Sequence, residues 1–191
     1  MAYSHVAHDC ILGNKNVFAN HAGIAGHVIV GNSTTIGALT TIHQFCKIGD
    51  FAFVGMNTSI TMDIPAFIKV AADPARVIGL NTIGMSRNDI SEDAIRLIKK
   101  AYKLIYKKGY KLHDAMKEIE KLENPARPEL QIFIDSVRSS ERGLCDFNCV
   151  WLDLKTSNAS EKSLAVSEIS LFKWHGISRF ISEKRFVTLS T

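Results

Sequence analysis

Every sixth residue from Val6 onward is large and apolar: Val6, Leu12, Phe18, Ile24, Val30, Ile36, Ile42, Ile48, Val54 and Ile60. The next residue is mostly small, as in Ala7, Gly13, Ala19, Ala25, Gly31, Gly37, Gly49 and Gly55. So is the residue two before it, as in Cys10, Asn16, Ala22, Thr34, Thr40, Cys46, Ala52 and Thr58. Side chains alternate across a strand, so residues two apart share a face. One large and one small inward residue per hexad would fill a narrow interior. The small residue after the large one would permit a sharp corner. This period predicts a parallel β-helix. Three hexads make a triangular coil of 18 residues, and coils stack at roughly 4.8 Å. An antiparallel β domain would instead space its turn signals well beyond one hexad apart.

The coil length turns the sequence into a map. Subtracting 18 per coil leaves His8 at 8 and moves His27 to 9 and His43 to 7, with His5 on the same side. Three histidines therefore fall on one edge in successive coils, with neighbouring Cα atoms roughly 6 Å apart. Gly26 lies directly over His8, Gln44 over Gly26, and His27 over Asp9. The edge admits three readings: solvated corner residues, a substrate groove, or a three-histidine zinc site. The spacings suit a long groove better than a tight tetrahedron. Cys10 and Cys46 share one inward position two coils apart, roughly 9.6 Å, which is too far for a disulfide.

The six-residue period stops after the Asp63-Ile64-Pro65 stretch. Ser91 is placed to cap a helix that starts with acidic residues and carries Ile95, Ile98, Tyr102 and Ile105 on one face, with Gly109 beyond its end. A second helix is expected over 112–123 and a third after Pro128, with Pro125 and Pro128 between them. From Arg96 to Lys111 there are seven basic residues and no acidic one. That face is either solvated or a dock for an acidic partner, with Lys99, Lys103 and Lys107 as its candidates. Net charge is only +4, and nothing else points to nucleic acid. No apolar run is long enough to span a membrane. No secretory signal precedes the repeat, and four cysteines make no disulfide scaffold, so a cytoplasmic location is expected.

Taken together, "MAYSHVAHDC", "FANHAGIAGHV", "IHQFCKIGDFAFVG", "DIPAF", "GLNTIGMSR" and "AIRLIKKAYKLIYKKG" resemble the hexapeptide-repeat UDP-N-acetylglucosamine acyltransferases over residues 1–144. The resemblance implies a β-solenoid plus α fold, a left-handed parallel β-helix followed by a small helical domain. It implies transfer of a 3-hydroxyacyl chain from acyl carrier protein to the 3-hydroxyl of UDP-N-acetylglucosamine, the first step of lipid A biosynthesis, in a homotrimer without cofactor or metal. By this resemblance His8 is the general base, Asp9 orients it, and the Gly26 N–H stabilises the oxyanion. His5, His27, His43 and Gln44 line the substrate groove, and Asn81 and Arg87 bind the nucleotide. Ile83 and Asn88 depart from the family, whose members often carry Glu and a second Arg there. Met56 stands at the acyl-chain ruler, where a bulky side chain implies a short chain, near ten carbons.

The expected organisation is a β-helix over 1–66, a connecting loop over 67–90 with the nucleotide-binding residues, a helical domain over 91–144, and a non-homologous, poorly ordered tail over 145–191. The repeat starts in mid-pattern at Met1, which suggests a chain lacking upstream coils, with an open first coil. Three rivals accompany the O-acyltransferase reading. One is the related N-acyltransferase acting on a glucosamine amine, and one is a zinc-dependent γ-carbonic anhydrase on the same coil. The third is an inactive fragment of the O-acyltransferase, or a subunit that only associates with others.

Overall fold

The computed structural model describes residues 1–122 and 128–146. The expected tail therefore lies outside the described residues, apart from Cys145 and Asp146. Ten two-residue strands follow one another at six-residue intervals: β1 His5–Val6, β2 Ile11–Leu12, β3 Val17–Phe18, β4 Gly23–Ile24, β5 Ile29–Val30, β6 Thr35–Ile36, β7 Thr41–Ile42, β8 Lys47–Ile48, β9 Phe53–Val54 and β10 Ser59–Ile60. They stack as three parallel sheets. The register is His5 on Gly23 on Thr41 on Ser59 in the first sheet, and Ile11 on Ile29 on Lys47 in the second. Each step spans one full coil of three hexads, as the period requires. The fold is the left-handed parallel β-helix with added helices.

The interior is built from the two predicted series. Ile24, Val30, Ile36, Ile42, Ile48, Val54 and Ile60 are at most 2% exposed. The small inward set, Ala22, Val28, Thr34, Thr40, Cys46, Ala52 and Thr58, is as deeply buried. Each large rung contributes about 1.5–3 kcal/mol when buried. In the first coil the matching Val6 and Leu12 are 44% and 40% exposed. Burial pushes the Cys46 thiol up to about 11, which fits its place in the core.

The corners are built differently from the expectation. The residue that turns left-handed is not the small one after each rung. It stands two further on: Tyr3, Asp9, Lys15, His21, His27, Ser33, Leu39, Phe45, Phe51 and Asn57 all have φ between 51° and 65°. None is glycine, and each costs about 1–2 kcal/mol relative to a right-handed residue. From His21 onward these residues are tied down by stacking, because the backbone N–H donates to a carbonyl of the coil below. Examples are His27 to His8 at 3.1 Å, Ser33 to Asn14 at 2.8 Å and Phe45 to Gly26 at 3.2 Å. The small residue serves close approach instead. A Cβ at Gly13 would lie 2.7 Å from the Gly31 backbone, and one at Gly37 would lie 2.5 Å from the Gly55 carbonyl carbon.

Residues 67–90 are not the expected connecting loop. They form β11 Ile68–Ala71, β12 Arg76–Leu80 and the short helix α1 Thr82–Arg87. β11 continues the third sheet, pairing Lys69 with Phe53 and Val70 with Val54. That step is shorter than a full coil, because the Asp63–Pro65 corner falls short of a hexad. β12 returns antiparallel to β11. The period-two burial of Ile68, Val70 and Val77 is what a two-strand ribbon on a core requires.

The helical part follows the sequence reading: α2 Glu92–Tyr106, α3 Leu112–Glu120 and α4 Pro128–Arg138. The Ser91 side chain caps α2, accepting from the Ala94 N–H. Gly109 has φ of 68° just past its end. Asp63, 2% exposed, fastens the last coil to the segment after α4. Its carboxylate accepts from the backbone N–H groups of Lys47 at 2.7 Å, Glu141 at 2.9 Å and Arg142 at 2.9 Å, and from the Ser140 hydroxyl at 2.8 Å. Cys145 belongs to this folded part rather than to the tail. It is 1% exposed and donates its N–H to the Asp63 carbonyl at 2.8 Å.

Candidate active site

The corner between the first and second sheets gathers the residues that the coil map places together. Asp9 and His27 stack one coil apart, both left-handed, at φ of 57° and 60°. His8 precedes Asp9, and its carbonyl receives the His27 N–H. The His8 Nδ1 lies 2.8 Å from the Asp9 carboxylate oxygen Oδ2. The His27 Nε2 lies 3.8 Å from the same oxygen. The His8 and His27 rings meet edge to face, with centroids 5.1 Å apart and planes at 87°.

An ionised carboxylate can only accept, so the His8 Nδ1 carries the proton. In the neutral ring Nε2 is then a free base. The His8 hydrogen bond first, and then the positive potential of His27, hold the Asp9 carboxyl below its ordinary range. Asp9 therefore stays charged wherever His8 is a useful base.

The other face of the His8 ring rests on Gly26. A Cβ there would fall 2.6 Å from the His8 Cε1 and 2.7 Å from its Nε2. Only glycine leaves room for this imidazole. The Gly26 carbonyl is engaged by the Phe45 N–H, while among the described residues its own N–H takes no part in the backbone ladder.

Phe45 was not singled out by the sequence reading. It occupies the next left-handed corner above His27, and the two rings stack at 4.9 Å with a 13° interplanar angle. The signal was available: positions 9, 27 and 45 are one coil apart in turn. Phe45 is 50% exposed, an unusual place for a phenyl ring unless it works as a wall for its neighbour.

The remaining expected residues are spread out. Gln44 is in line with Gly26 one coil on, and His43 starts the same corner with its Nδ1 3.1 Å from the Gln44 carbonyl. His5 is exposed on β1, opposite Gly23. The three-histidine convergence that a zinc hydratase needs is not formed. Among the described residues, the metal-compatible donor set is His8, Asp9 and His27, whose ligand atoms lie within 4.8 Å of one another, and His43 is outside it.

Met56, 69% exposed, sits on the corner between the third and first sheets, not on the His8 corner. Asn81 is committed to structure: its Oδ1 accepts from the Gly84 N–H at 3.0 Å as the cap of α1, and its Nδ2 donates to the Phe51 carbonyl at 2.9 Å. Arg87 is exposed in the last turn of α1. Lys99 and Lys103 are exposed on α2, and Lys107 is exposed at its C-cap. The hollow of the helical part, lined by Leu112, Met116, Val137 and Leu144, holds none of the expected site residues. No helix among the described residues is long and apolar enough to cross a membrane.

Comparison with known proteins bears on this arrangement. Residues 63–145 match the family model described as Udp N-acetylglucosamine O-acyltransferase, domain 2. The acyl-[acyl-carrier-protein]–UDP-N-acetylglucosamine O-acyltransferase of Azotobacter vinelandii is 49% identical over 144 residues, and that of Pseudomonas fluorescens Pf-5 is 41% identical over 146. Each match takes in 75% of this chain and 55% of the relative. Among solved structures, LpxA from Acinetobacter baumannii superposes with a TM-score of 0.71 at 42% identity, over 74% of this chain and 55% of that one. The UDP-N-acetylglucosamine acyltransferase of Arabidopsis gives 0.69 at 33% identity, over 74% and 52%. The chain thus spans about half the length of the relatives it matches.

Proposed function

We propose, from the family model matched by residues 63–145 and from relatives 41–49% identical over the residues that align, that the chain is a UDP-N-acetylglucosamine O-acyltransferase and transfers a 3-hydroxyacyl chain from acyl carrier protein to the 3-hydroxyl of UDP-N-acetylglucosamine, opening lipid A biosynthesis. His8 Nε2 takes the hydroxyl proton as the sugar oxygen attacks the thioester carbonyl. Neutral imidazole suits that task near pH 7. Asp9 holds the ring by Nδ1 and stabilises the imidazolium, as the carboxylate of a catalytic triad does. The Gly26 N–H is the donor for the oxyanion. Collapse of the tetrahedral intermediate breaks the C–S bond. The imidazolium then returns its proton to the departing thiolate of the carrier, and the base is regenerated.

One observation carries this reading: the 2.8 Å contact between His8 Nδ1 and Asp9, which leaves Nε2 free against Gly26, whose N–H takes no part in the backbone ladder among the described residues. His5, His27, His43 and Gln44 flank that point as the groove. Met56 sits on another corner of the solenoid, and Asn81 and Arg87 lie at the two ends of α1. A homotrimer, which brings one subunit's corner against the next subunit's face, is part of the proposal because it gathers them. Arg87 would take the diphosphate, and Met56 would limit the acyl chain to about ten carbons. Lys99, Lys103 and Lys107 would steer the acidic carrier. A cytoplasmic location is part of the proposal.

The test is a transfer assay on the purified chain with 3-hydroxyacyl carrier proteins of several chain lengths. UDP-N-acetylglucosamine and a glucosamine amine serve as competing acceptors. The proposal expects O-acylation, a maximum near ten carbons, and loss of roughly 10²–10⁴-fold in His8→Ala. N-acylation alone, or a folded chain without turnover, would overturn it. Charge reversal at the three lysines is expected to raise the KM for the carrier-bound donor and leave the acceptor KM unchanged.

A further inference from the structure

We propose that His8, Asp9 and His27 form a binding site for a divalent transition-metal ion of zinc type, and that its occupation switches the base off. The second half rests on the function proposed above, and the first does not. The three donors are His8 Nδ1, Asp9 Oδ2 and His27 Nε2. Tetrahedral zinc with bonds near 2.1 Å separates its ligand atoms by about 3.4 Å. The two measured separations, 2.8 Å and 3.8 Å, fall on either side of that value. The third pair, His8 Nδ1 and His27 Nε2, lies within 4.8 Å, so modest side-chain shifts would close one face of the tetrahedron.

The frame for those shifts exists. Asp9 and His27 stand in left-handed corners one above the other. The His27 N–H is bonded to the His8 carbonyl, and Phe45 stacks on the His27 ring. The fourth position faces solvent, since the His8, Asp9 and His27 side chains are 72%, 66% and 44% exposed. An ion there would exchange freely rather than hold the fold together. Two imidazoles and one carboxylate select zinc, nickel or copper over magnesium and calcium, which prefer oxygen ligands.

The consequence for the base follows from proton placement. A metal on His8 Nδ1 displaces the proton that Nδ1 donates to Asp9. The neutral ring then carries its one proton on Nε2. That is the atom that must accept the sugar hydroxyl proton, so the ring can no longer act. The ion therefore inhibits, the reverse of the metal-activated water of a zinc hydratase.

The experiment uses the full chain after chelation, titrated with Co²⁺ and followed by visible absorption, with Zn²⁺ by calorimetry. His27→Asn and Asp9→Asn are compared with wild type and with His21→Asn, whose ring stacks on Tyr3 at another corner. Asparagine tolerates the left-handed backbone, and circular dichroism verifies each fold. One ion per chain is expected in wild type and His21→Asn, with affinity at least tenfold weaker in the other two, and no competition from Mg²⁺. Equal affinity in His27→Asn, or loss confined to His21→Asn, would overturn the site. Zn²⁺ is further expected to abolish turnover, and chelation to restore it. An ion bound at these residues with turnover intact would refute the switch and count against His8 as the base. Absence of turnover before any metal is added would defeat the functional reading alone, and the titration would still decide the site.

Discussion

Replacing Gly26 by alanine separates the fold from the chemistry more sharply than any other single change. The added Cβ would lie 2.6 Å from the His8 Cε1, 2.7 Å from Nε2 and 3.2 Å from Nδ1. Ordinary contact begins near 3.4 Å, so the ring must retreat by about 0.8 Å. The obstacle is the far end of an exposed side chain, which can move without disturbing the coil. The Gly26 backbone is not left-handed, so alanine adopts it without strain and stiffens the unfolded chain by about 0.4–1 kcal/mol. Thermal stability should hold or rise slightly. The retreating ring loses its 2.8 Å contact with Asp9, and misplacement of a reacting group by about 1 Å costs roughly 10²-fold in rate. The assays are a melting curve and kcat for acyl transfer on the same sample. Full activity with unchanged stability would refute the claim that His8 works from its seat on Gly26. A large fall in Tm would refute the view that this glycine serves the site rather than the coil.

Three further outcomes follow from the same geometry. Asp63→Ala removes the acceptor of three backbone N–H groups and one hydroxyl, and should cost about 3–5 kcal/mol in urea unfolding, with amide exchange rising first over residues 140–145. Phe45→Ala should change stability by less than about 1.5 kcal/mol yet free the His27 ring, visible as averaged imidazole resonances and a raised acceptor KM. The Asp9 carboxyl is depressed in the folded state, so its stabilising contribution is complete above the unfolded value near 3.9. That contribution is lost as pH falls through the lower folded value. Melting curves of wild type and Asp9→Asn should therefore converge as pH falls below about pH 4.

The solenoid could be read from the sequence because its two inward series are simple and its period never slips between Val6 and Ile60. The same arithmetic placed His27 over Asp9 and Gly26 over His8. It failed where the period changes. The Asp63–Pro65 corner shortens the step to less than a full coil, and the β11–β12 ribbon continues the sheet in a segment expected to be a loop. Its alternation of Ile68 and Val70 was present but too short to separate from irregular chain. The corners were misassigned because glycine is the usual left-handed residue, whereas here stacking on the coil below holds histidine, serine and phenylalanine in that conformation. Asn81 shows a further limit: a polar side chain expected at a ligand is also a good helix cap, and only coordinates reveal that its amide faces Gly84 and Phe51.

The central claim is that residues one coil apart become partners at one ridge. Its most direct measurement is a nuclear Overhauser contact between the His8 Hε1 and the Gly26 Hα protons, recorded with the long-range ¹⁵N spectrum that reports the tautomer of His8. A strong contact with the proton on Nδ1 is the predicted result. A missing contact, or a ring protonated on Nε2 in the metal-free chain, would contradict the account.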